Sequence, residues 1–177
     1  MKHKHHYNLI LIGHKSSGKT HFGQLLSQEL GRKFIDTDRL IEDLYTKKFH
    51  EKLSCRQIAT KIGEEGFRNL ERSVISSLNE IKRTIISIGA GSVLNLENCE
   101  KLRALGCFVY LELDKETIRQ RILNCGVPSF FNPQNFEDSF EKMYQERKLI
   151  YEEICIFKVV MQGKTEKEIL SELKELS

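Results

Sequence analysis

Apolar and polar positions alternate in blocks along the chain, and these blocks predict strands and helices in turn. Runs rich in Ile, Val, Leu and Phe predict five strands, at residues 9–12, 33–35, 84–88, 107–113 and 154–161. Between them, apolar residues recur every three or four positions, which is the period of an amphipathic helix. Strands that alternate with helices favour a parallel sheet covered on both faces. The pattern therefore predicts an α/β fold with three layers and a five-stranded parallel sheet.

The intervening segments predict helices, several of which end at a glycine. The first carries Phe22, Leu26 and Leu30 on one face and ends at Gly31. Further helices are expected at residues 39–47, 55–62, 64–81, 95–105, 115–123, 141–152 and 165–176. The stretch at about 124–138 breaks the pattern, because it holds both prolines of the chain and three phenylalanines. We expect a loop or a lid there.

The composition of the chain argues against several classes of protein. The chain has 177 residues, which suits one domain, and its net charge of +3 comes from interleaved acidic and basic residues. This mild charge does not predict nucleic-acid binding, and no apolar run approaches the length of a membrane span. The five cysteines are scattered without a C-x-x-C pair, which favours reduced thiols in the cytoplasm over a disulfide or zinc frame. No signal peptide is expected.

The most informative stretch follows the first predicted strand, where GHKSSGKT fits the pattern G-x-x-x-x-G-K-[ST]. Glycines permit the backbone angles that turn loop N–H groups toward a polyphosphate, and the next helix directs its positive end at it. In this motif Lys19 reaches the β- and γ-phosphates, and the Thr20 hydroxyl binds Mg²⁺. We expect ATP to contact Gly13, Lys15, Ser16, Ser17, Gly18, Lys19, Thr20 and His21.

Other polar residues are expected at the same edge of the sheet. Asp36 and Asp38 follow the second strand, and the sequence Gly89-Ala90-Gly91 follows the third. Two carboxylates at one strand end can serve as a metal ligand and a base, although turn and capping chemistry explains them too. Arg68 and Arg147, on different helices, can hold an anionic acceptor, although Arg68 also has acidic neighbours at Glu65 and Glu71. Spacing alone does not name the acceptor.

At these positions the chain resembles the shikimate kinases, small-molecule kinases of the nucleoside monophosphate kinase-like group with a P-loop kinase fold. The segment FIDTD, which ends at Asp38, is similar to the family's D-T-D segment. The segment GEEGFRNLE, from Gly63 to Glu71, resembles the helix start G-E-x-x-F-R-x-x-E. Gly89-Ala90-Gly91 resembles the family's triple-glycine turn, and Glu146-Arg147 followed by Tyr151 resembles E-R-x-x-x-Y.

The resemblance implies phosphorylation of the 3-hydroxyl of shikimate by ATP, a step toward chorismate and the aromatic amino acids. In that family the residues that grip shikimate match Asp38, Arg68, Gly89, Ala90, Gly91 and Arg147. Asp38 would be the base, and Lys19 and Arg147 would join it in catalysis. Asp36 would reach Mg²⁺ through water, beside Thr20, and Arg121 would lie against adenine. The implied enzyme is a cytoplasmic monomer, with an acceptor-binding insertion at about 36–66 and a lid at about 124–138 in one domain, 1–177.

Three departures from the family pattern leave alternatives open. Ser16 and Ala90 stand where the family usually has glycine, and Val127 takes the place of a lid arginine that contacts phosphate. No Lys or Arg occurs from residue 122 to residue 141. Lys15, inside the loop, is a candidate to supply the missing charge, or the enzyme is simply slower. The alternatives to an active shikimate kinase are a kinase of the same fold for another acceptor, such as gluconate or a nucleotide, and a nucleotide-binding homologue with weakened catalysis.

Overall fold

The strands form one parallel sheet. The computed structural model describes residues 7–127, 131 and 133–176. The strands are β1 (Asn8–Ile12), β2 (Lys33–Asp36), β3 (Thr84–Ser87), β4 (Gly106–Glu112) and β5 (Phe157–Val160). Their order in the sheet is β2-β3-β1-β4-β5, and every neighbouring pair is parallel. The predicted five-stranded parallel sheet is confirmed.

Seven α-helices are found in the described residues. They are α1 (Lys19–Leu30), α2 (Thr37–Phe49), α3 (Cys55–Ser77), α4 (Leu96–Leu105), α5 (Lys115–Asn124), α6 (Phe136–Ile154) and α7 (Glu166–Glu175). Asn95 caps α4, and Gly31 ends α1 in the left-handed conformation, as the sequence predicts. Across the part of the chain that the structure describes, no helix is both long and apolar enough to span a membrane.

The core lies on both faces of the central strand. All of Asn8–Ile12 is buried, so β1 has no solvent-facing side. Leu9 and Leu11 pack into a cluster to which α1, α5, α6 and α7 contribute. Ile10 and Ile12 pack on the opposite face, in a cluster to which α3 and α4 contribute. A smaller cluster lies between α2 and α3. Helices therefore cover both faces of the sheet, which makes the predicted three layers.

The helix boundaries around the predicted acceptor-binding insertion differ from those that the sequence predicts. α2 begins at Thr37 rather than residue 39, because the Asp36 side chain caps it. The predicted break at Gly63 is present, since this residue has φ 73° and ψ 171° within α3. The second half of α3 ends at Ser77 rather than residue 81, and the chain then turns through Glu80 at φ 61°.

The C-terminal end of the predicted lid is helical. α6 begins at Phe136 rather than Glu141, and acidic residues in its first turn favour this start. The rings of Phe136 and Phe140 also stack at 5.7 Å, which anchors the first turn. α6 continues to Ile154, so β5 is shorter than predicted. Residues 128–130 and 132 of the predicted lid lie outside the described residues.

Candidate nucleotide and acceptor site

The loop between β1 and α1 has the backbone that its glycines were expected to allow. Gly13 has φ 145° and Gly18 has φ 95°, values that favour glycine. A Cβ at Gly13 would also lie 2.8 Å from the carbonyl oxygen of Leu111. Ser16 adopts φ 64°, a conformation that is uncommon for residues other than glycine. The loop therefore keeps the glycine geometry even where serine replaces glycine.

Lys19 lies buried at the base of this loop. Its Nζ donates to the carbonyl oxygens of Gly13, at 2.9 Å, and His14, at 2.8 Å. Burial lowers the pKa of Lys19 to about 8, while the charges of Asp38 and Asp36 act in the opposite direction. Phosphate oxygens are stronger partners for an ammonium group than backbone carbonyls are. The lysine is thus held where the oxygens of a bound polyphosphate can replace the two carbonyls as its hydrogen-bond partners.

Thr20 and Asp36 meet at the start of α1. The Thr20 hydroxyl donates to Asp36 Oδ2 at 2.7 Å, and Asp36 Oδ1 accepts from the Asp38 backbone N–H at 3.0 Å. Mg²⁺ in kinase sites binds to one or two protein oxygen ligands and to the substrate phosphates, so this hydroxyl and carboxylate fit the ion. Among the described residues no cluster of three His, Cys, Asp or Glu could hold a metal by itself.

The sequence suggested that the two aspartates leave the strand side by side, but the structure places them in different elements. Asp36 ends β2, but Asp38 lies in the first turn of α2, and the helix turns its carboxylate toward the third strand. Asp38 Oδ1 is 2.9 Å from the position that a Cβ on Gly89 would take. Although the residue as a whole is exposed, desolvation of its carboxyl group by the surrounding protein raises the pKa of Asp38 to about 6, with Asp36 adding to the rise and Lys19 opposing it. That value suits a general base near neutral pH.

Arg68 lies against the turn that follows β3. Its Nη1 donates to Glu71 Oε2 at 2.7 Å, and both Nη atoms are 2.9 Å from where a Cβ on Gly91 would lie. Glu71 is 2% exposed, and its Oε1 accepts from the Ser92 hydroxyl at 2.7 Å. The suspected ion pair to an acidic neighbour therefore exists, to Glu71 at 2.7 Å and Glu64 at 3.8 Å rather than to Glu65. It orients the guanidinium over the glycine turn.

Arg147 approaches the same turn from α6. Its charge opposes the rise that burial causes in the pKa of Tyr151, whose hydroxyl donates to the carbonyl oxygen of Ala90 at 2.6 Å. Its charge also lowers the pKa of Lys19, after burial and Lys15. The structure therefore brings Arg68, Arg147 and the Gly89–Gly91 turn into one crevice with the phosphate loop.

The remaining nucleotide-side residues lie around the loop. Arg121 Nη1 donates to the carbonyl oxygen of Ser16 at 2.8 Å, so α5 contacts the outer side of the loop. His21 is exposed and pairs with Glu166 at the start of α7. Lys15 is exposed at the loop tip. Ser17 is buried, and within the described part of the chain its hydroxyl has no hydrogen-bond partner.

Sequence reasoning missed two contacts of this site. Arg56, on the first turn of α3, donates to the carbonyl oxygen of Val127, the residue that takes the place of the family's lid arginine. A cation therefore lies beside the backbone of Val127, and it belongs to the predicted acceptor-binding insertion. His14, inside the loop, is 1% exposed and packs against α6. Neither contact had a sequence signal, because the loop motif leaves residue 14 open and nothing near Arg56 marks it.

Comparisons with known proteins agree with this geometry. Residues 15–176 match the family described as shikimate kinase. A shikimate kinase from Syntrophus aciditrophicus is 38% identical over 159 residues, which cover 86% of this chain and 78% of that protein.

Solved structures give the same result. A shikimate kinase from Acinetobacter baumannii in complex with shikimate superposes with a TM-score of 0.84 at 26% identity, covering 96% of this chain and 92% of that one. A gluconokinase from Sinorhizobium meliloti, with a TM-score of 0.55 at 17% identity over 96% of this chain and 94% of that one, shares the fold alone. With a family match over almost its whole length, this chain belongs to the shikimate kinase family.

Proposed function

We propose that this protein transfers the γ-phosphoryl group of ATP to the 3-hydroxyl of shikimate, giving ADP and shikimate 3-phosphate on the route to chorismate and the aromatic amino acids. One observation carries the proposal. Asp38 and Arg68 converge on the Gly89–Gly91 turn, in the same crevice as Lys19. A base, a carboxylate-binding fork and a phosphate loop are the parts that phosphoryl transfer to a hydroxy acid requires.

On the acceptor side, Arg68 and Arg147 hold the shikimate carboxylate. Arg68 is oriented by the buried Glu71, so its free N–H groups point into the crevice beside Gly91. Asp38 accepts the proton of the 3-hydroxyl as that oxygen bonds to the γ-phosphorus. The bond between this phosphorus and the β,γ-bridging oxygen breaks, and ADP leaves with its electron pair. The raised pKa of Asp38, about 6, matches this task.

On the nucleotide side, Lys19 exchanges the two loop carbonyls for the β- and γ-phosphates, with Gly13, Ser16, Ser17 and Gly18 supplying the loop around them. Thr20 and Asp36 would hold Mg²⁺, Asp36 through water, and the ion would neutralise charge on the phosphates. Lys15 and His21 flank the phosphates, and Arg121, on α5 beside Ser16, lies against adenine. These roles place positive charge where negative charge develops in the transition state.

The proposal includes the cellular compartment and the oligomeric state of the protein. The described cysteines are all free thiols, which suits the reducing cytoplasm. We place the enzyme there as a monomer that needs neither nucleic acid nor a membrane.

The direct test is an assay of ADP release with shikimate, with gluconate and without an acceptor. We expect release to depend on shikimate and on Mg²⁺, with gluconate close to the rate without acceptor. Release driven equally by gluconate would favour the kinase for another acceptor. Nucleotide binding without release would favour the homologue with weakened catalysis, which the valine at position 127 leaves open.

A further inference from the structure

His14 joins the phosphate loop to the helix that carries Arg147. Although it is the second residue of the loop, its ring is buried against α6. His14 Nε2 lies 3.1 Å from the carbonyl oxygen of Tyr144. Because a carbonyl only accepts, Nε2 is the protonated nitrogen and donates to it. The loop thus bonds directly to the backbone of α6, one turn before Arg147.

The ring also packs between two tyrosines of the same helix. It stacks on Tyr144 with centroids 4.3 Å apart and planes at 12°, and it meets Tyr151 edge-on at 5.1 Å. Each tyrosine is fixed at its other end. The Tyr144 hydroxyl donates to the carbonyl oxygen of Leu113 at 3.1 Å, and the Tyr151 hydroxyl donates to that of Ala90. The His14 ring therefore fills the space between the two anchors that hold this part of α6.

Arg147 lies on α6 between these two tyrosines, and its charge acts on the Tyr151 hydroxyl. Any shift of α6 relative to the loop would therefore move its guanidinium. Burial lowers the pKa of His14 to about 4, and the charges of Lys19, Arg147 and Lys148 act in the same direction. The ring is neutral at pH 7, so it does not repel the nearby cations, and it acts on α6 through its packing and its hydrogen bond to Tyr144.

We infer that His14 is a positioning residue that holds Arg147 in place for the acceptor, even though it belongs to the nucleotide loop. This inference rests on the proposed function, in which Arg147 binds the acceptor carboxylate. The family match begins at residue 15, so it assigns nothing to His14. Among the described residues, the contacts given for the His14 ring are with α6, and its Nδ1 has no hydrogen-bond partner there.

The test compares His14→Leu, which removes the hydrogen bond and the stacking, with His14→Gln, whose amide nitrogen can still donate to Tyr144. We expect His14→Leu to raise KM for shikimate about tenfold and KM for ATP less than about threefold. His14→Gln should recover most of the acceptor KM. Circular dichroism and thermal melting check that each variant folds. If His14→Leu does not fold, the comparison of His14→Gln with His14→Asn, whose shorter amide cannot reach, replaces it.

A double-mutant cycle separates positioning from a local effect on the loop. In an Arg147→Ala background, His14→Leu should raise the acceptor KM no further. A rise in KM for ATP as large as that for shikimate would overturn the inference, and so would a His14→Gln variant no better than His14→Leu. An additive effect in the cycle would also overturn it. Failure of the proposed function is distinguishable, because then the unmutated protein would not phosphorylate shikimate at all.

Discussion

Gly91→Ala should weaken acceptor binding by displacing one guanidinium group. Gly91 has φ −95° and ψ −7°, which alanine adopts without strain, so the backbone should stay in place. The new methyl carbon would lie 2.9 Å from both Nη atoms of Arg68 and 3.2 Å from Cζ. The substitution therefore acts on the arginine and leaves the turn itself intact.

The size of the effect follows from these distances. Ordinary van der Waals contact begins at 3.4 Å, so the guanidinium must retreat by about 0.5 Å from its present 2.9 Å. Its Nη1 is already held at 2.7 Å by Glu71, which leaves it little freedom to turn aside. A misplacement of 1 Å can cost about a hundredfold in rate, so half of that should cost about tenfold, or about 1.4 kcal/mol. We expect this loss in kcat/KM for shikimate, with KM for ATP nearly unchanged.

The assay is steady-state ADP release at varied shikimate and saturating ATP, followed by the same measurement in an Arg68→Ala background. If the methyl acts through the guanidinium, Gly91→Ala should add little once that guanidinium is gone. Two results would refute this reasoning. One is an unchanged kcat/KM for shikimate in Gly91→Ala. The other is a tenfold loss that persists in the Arg68→Ala background, because the methyl would then obstruct the acceptor itself.

Three other predictions concern the phosphate loop and its surroundings. Lys19→Ala should lower kcat at least about a hundredfold while the thermal melt stays cooperative, because the charge on the transferred phosphoryl loses its buried cation; turnover within a few-fold of the parent would exclude the role. Arg56→Ala should lower kcat/KM for ATP about fivefold, more than Lys15→Ala does, because Arg56 bonds Val127 and Lys15 is solvated. Val127→Arg should restore part of the loss in Arg56→Ala, and the reverse ranking of the two single variants would support Lys15 instead. Because the pKa of His14 falls from 6.5 to about 4 on folding, the unfolded chain binds more protons between these values, so the free energy of unfolding should fall as the pH falls. Urea titrations should show a loss of about 2 kcal/mol between pH 7 and pH 5 that His14→Leu lacks, and an equal loss in that variant would contradict it.

The sheet and the loop were predictable because each depends on a local rule. A buried parallel strand must be apolar on both faces, and β1 is, from Leu9 to Ile12. A loop that surrounds phosphate needs glycine at Gly13 and Gly18, and both have positive φ. Helix starts were less predictable, since the cap at Asp36 and the aromatic anchor at Phe136 depend on contacts that the period of apolar residues does not encode.

The partners of the site residues were harder to predict than the residues themselves. The sequence indicated Asp36 and Asp38 as a pair, but their surroundings differ because one ends a strand and the other begins a helix. The contact of Arg56 with Val127 joins two segments far apart in the chain, and the loop motif does not restrict His14. Such contacts are set by tertiary packing, so a pattern along one chain cannot reveal them.

The buried partner of Arg68 also determines how far the electric field of this arginine extends into solution. Arg68 and Glu71 have opposite charges 2.7 Å apart, so at a distance their fields largely cancel and the pair acts as a fixed dipole. Close to Gly91, however, the remaining N–H groups keep their directions. The pair should therefore add little to the long-range attraction of anions, and its part in acceptor affinity should depend weakly on ionic strength. Selection at this side of the crevice then follows from the direction of hydrogen bonds, which favours a planar carboxylate over a spherical anion of the same charge.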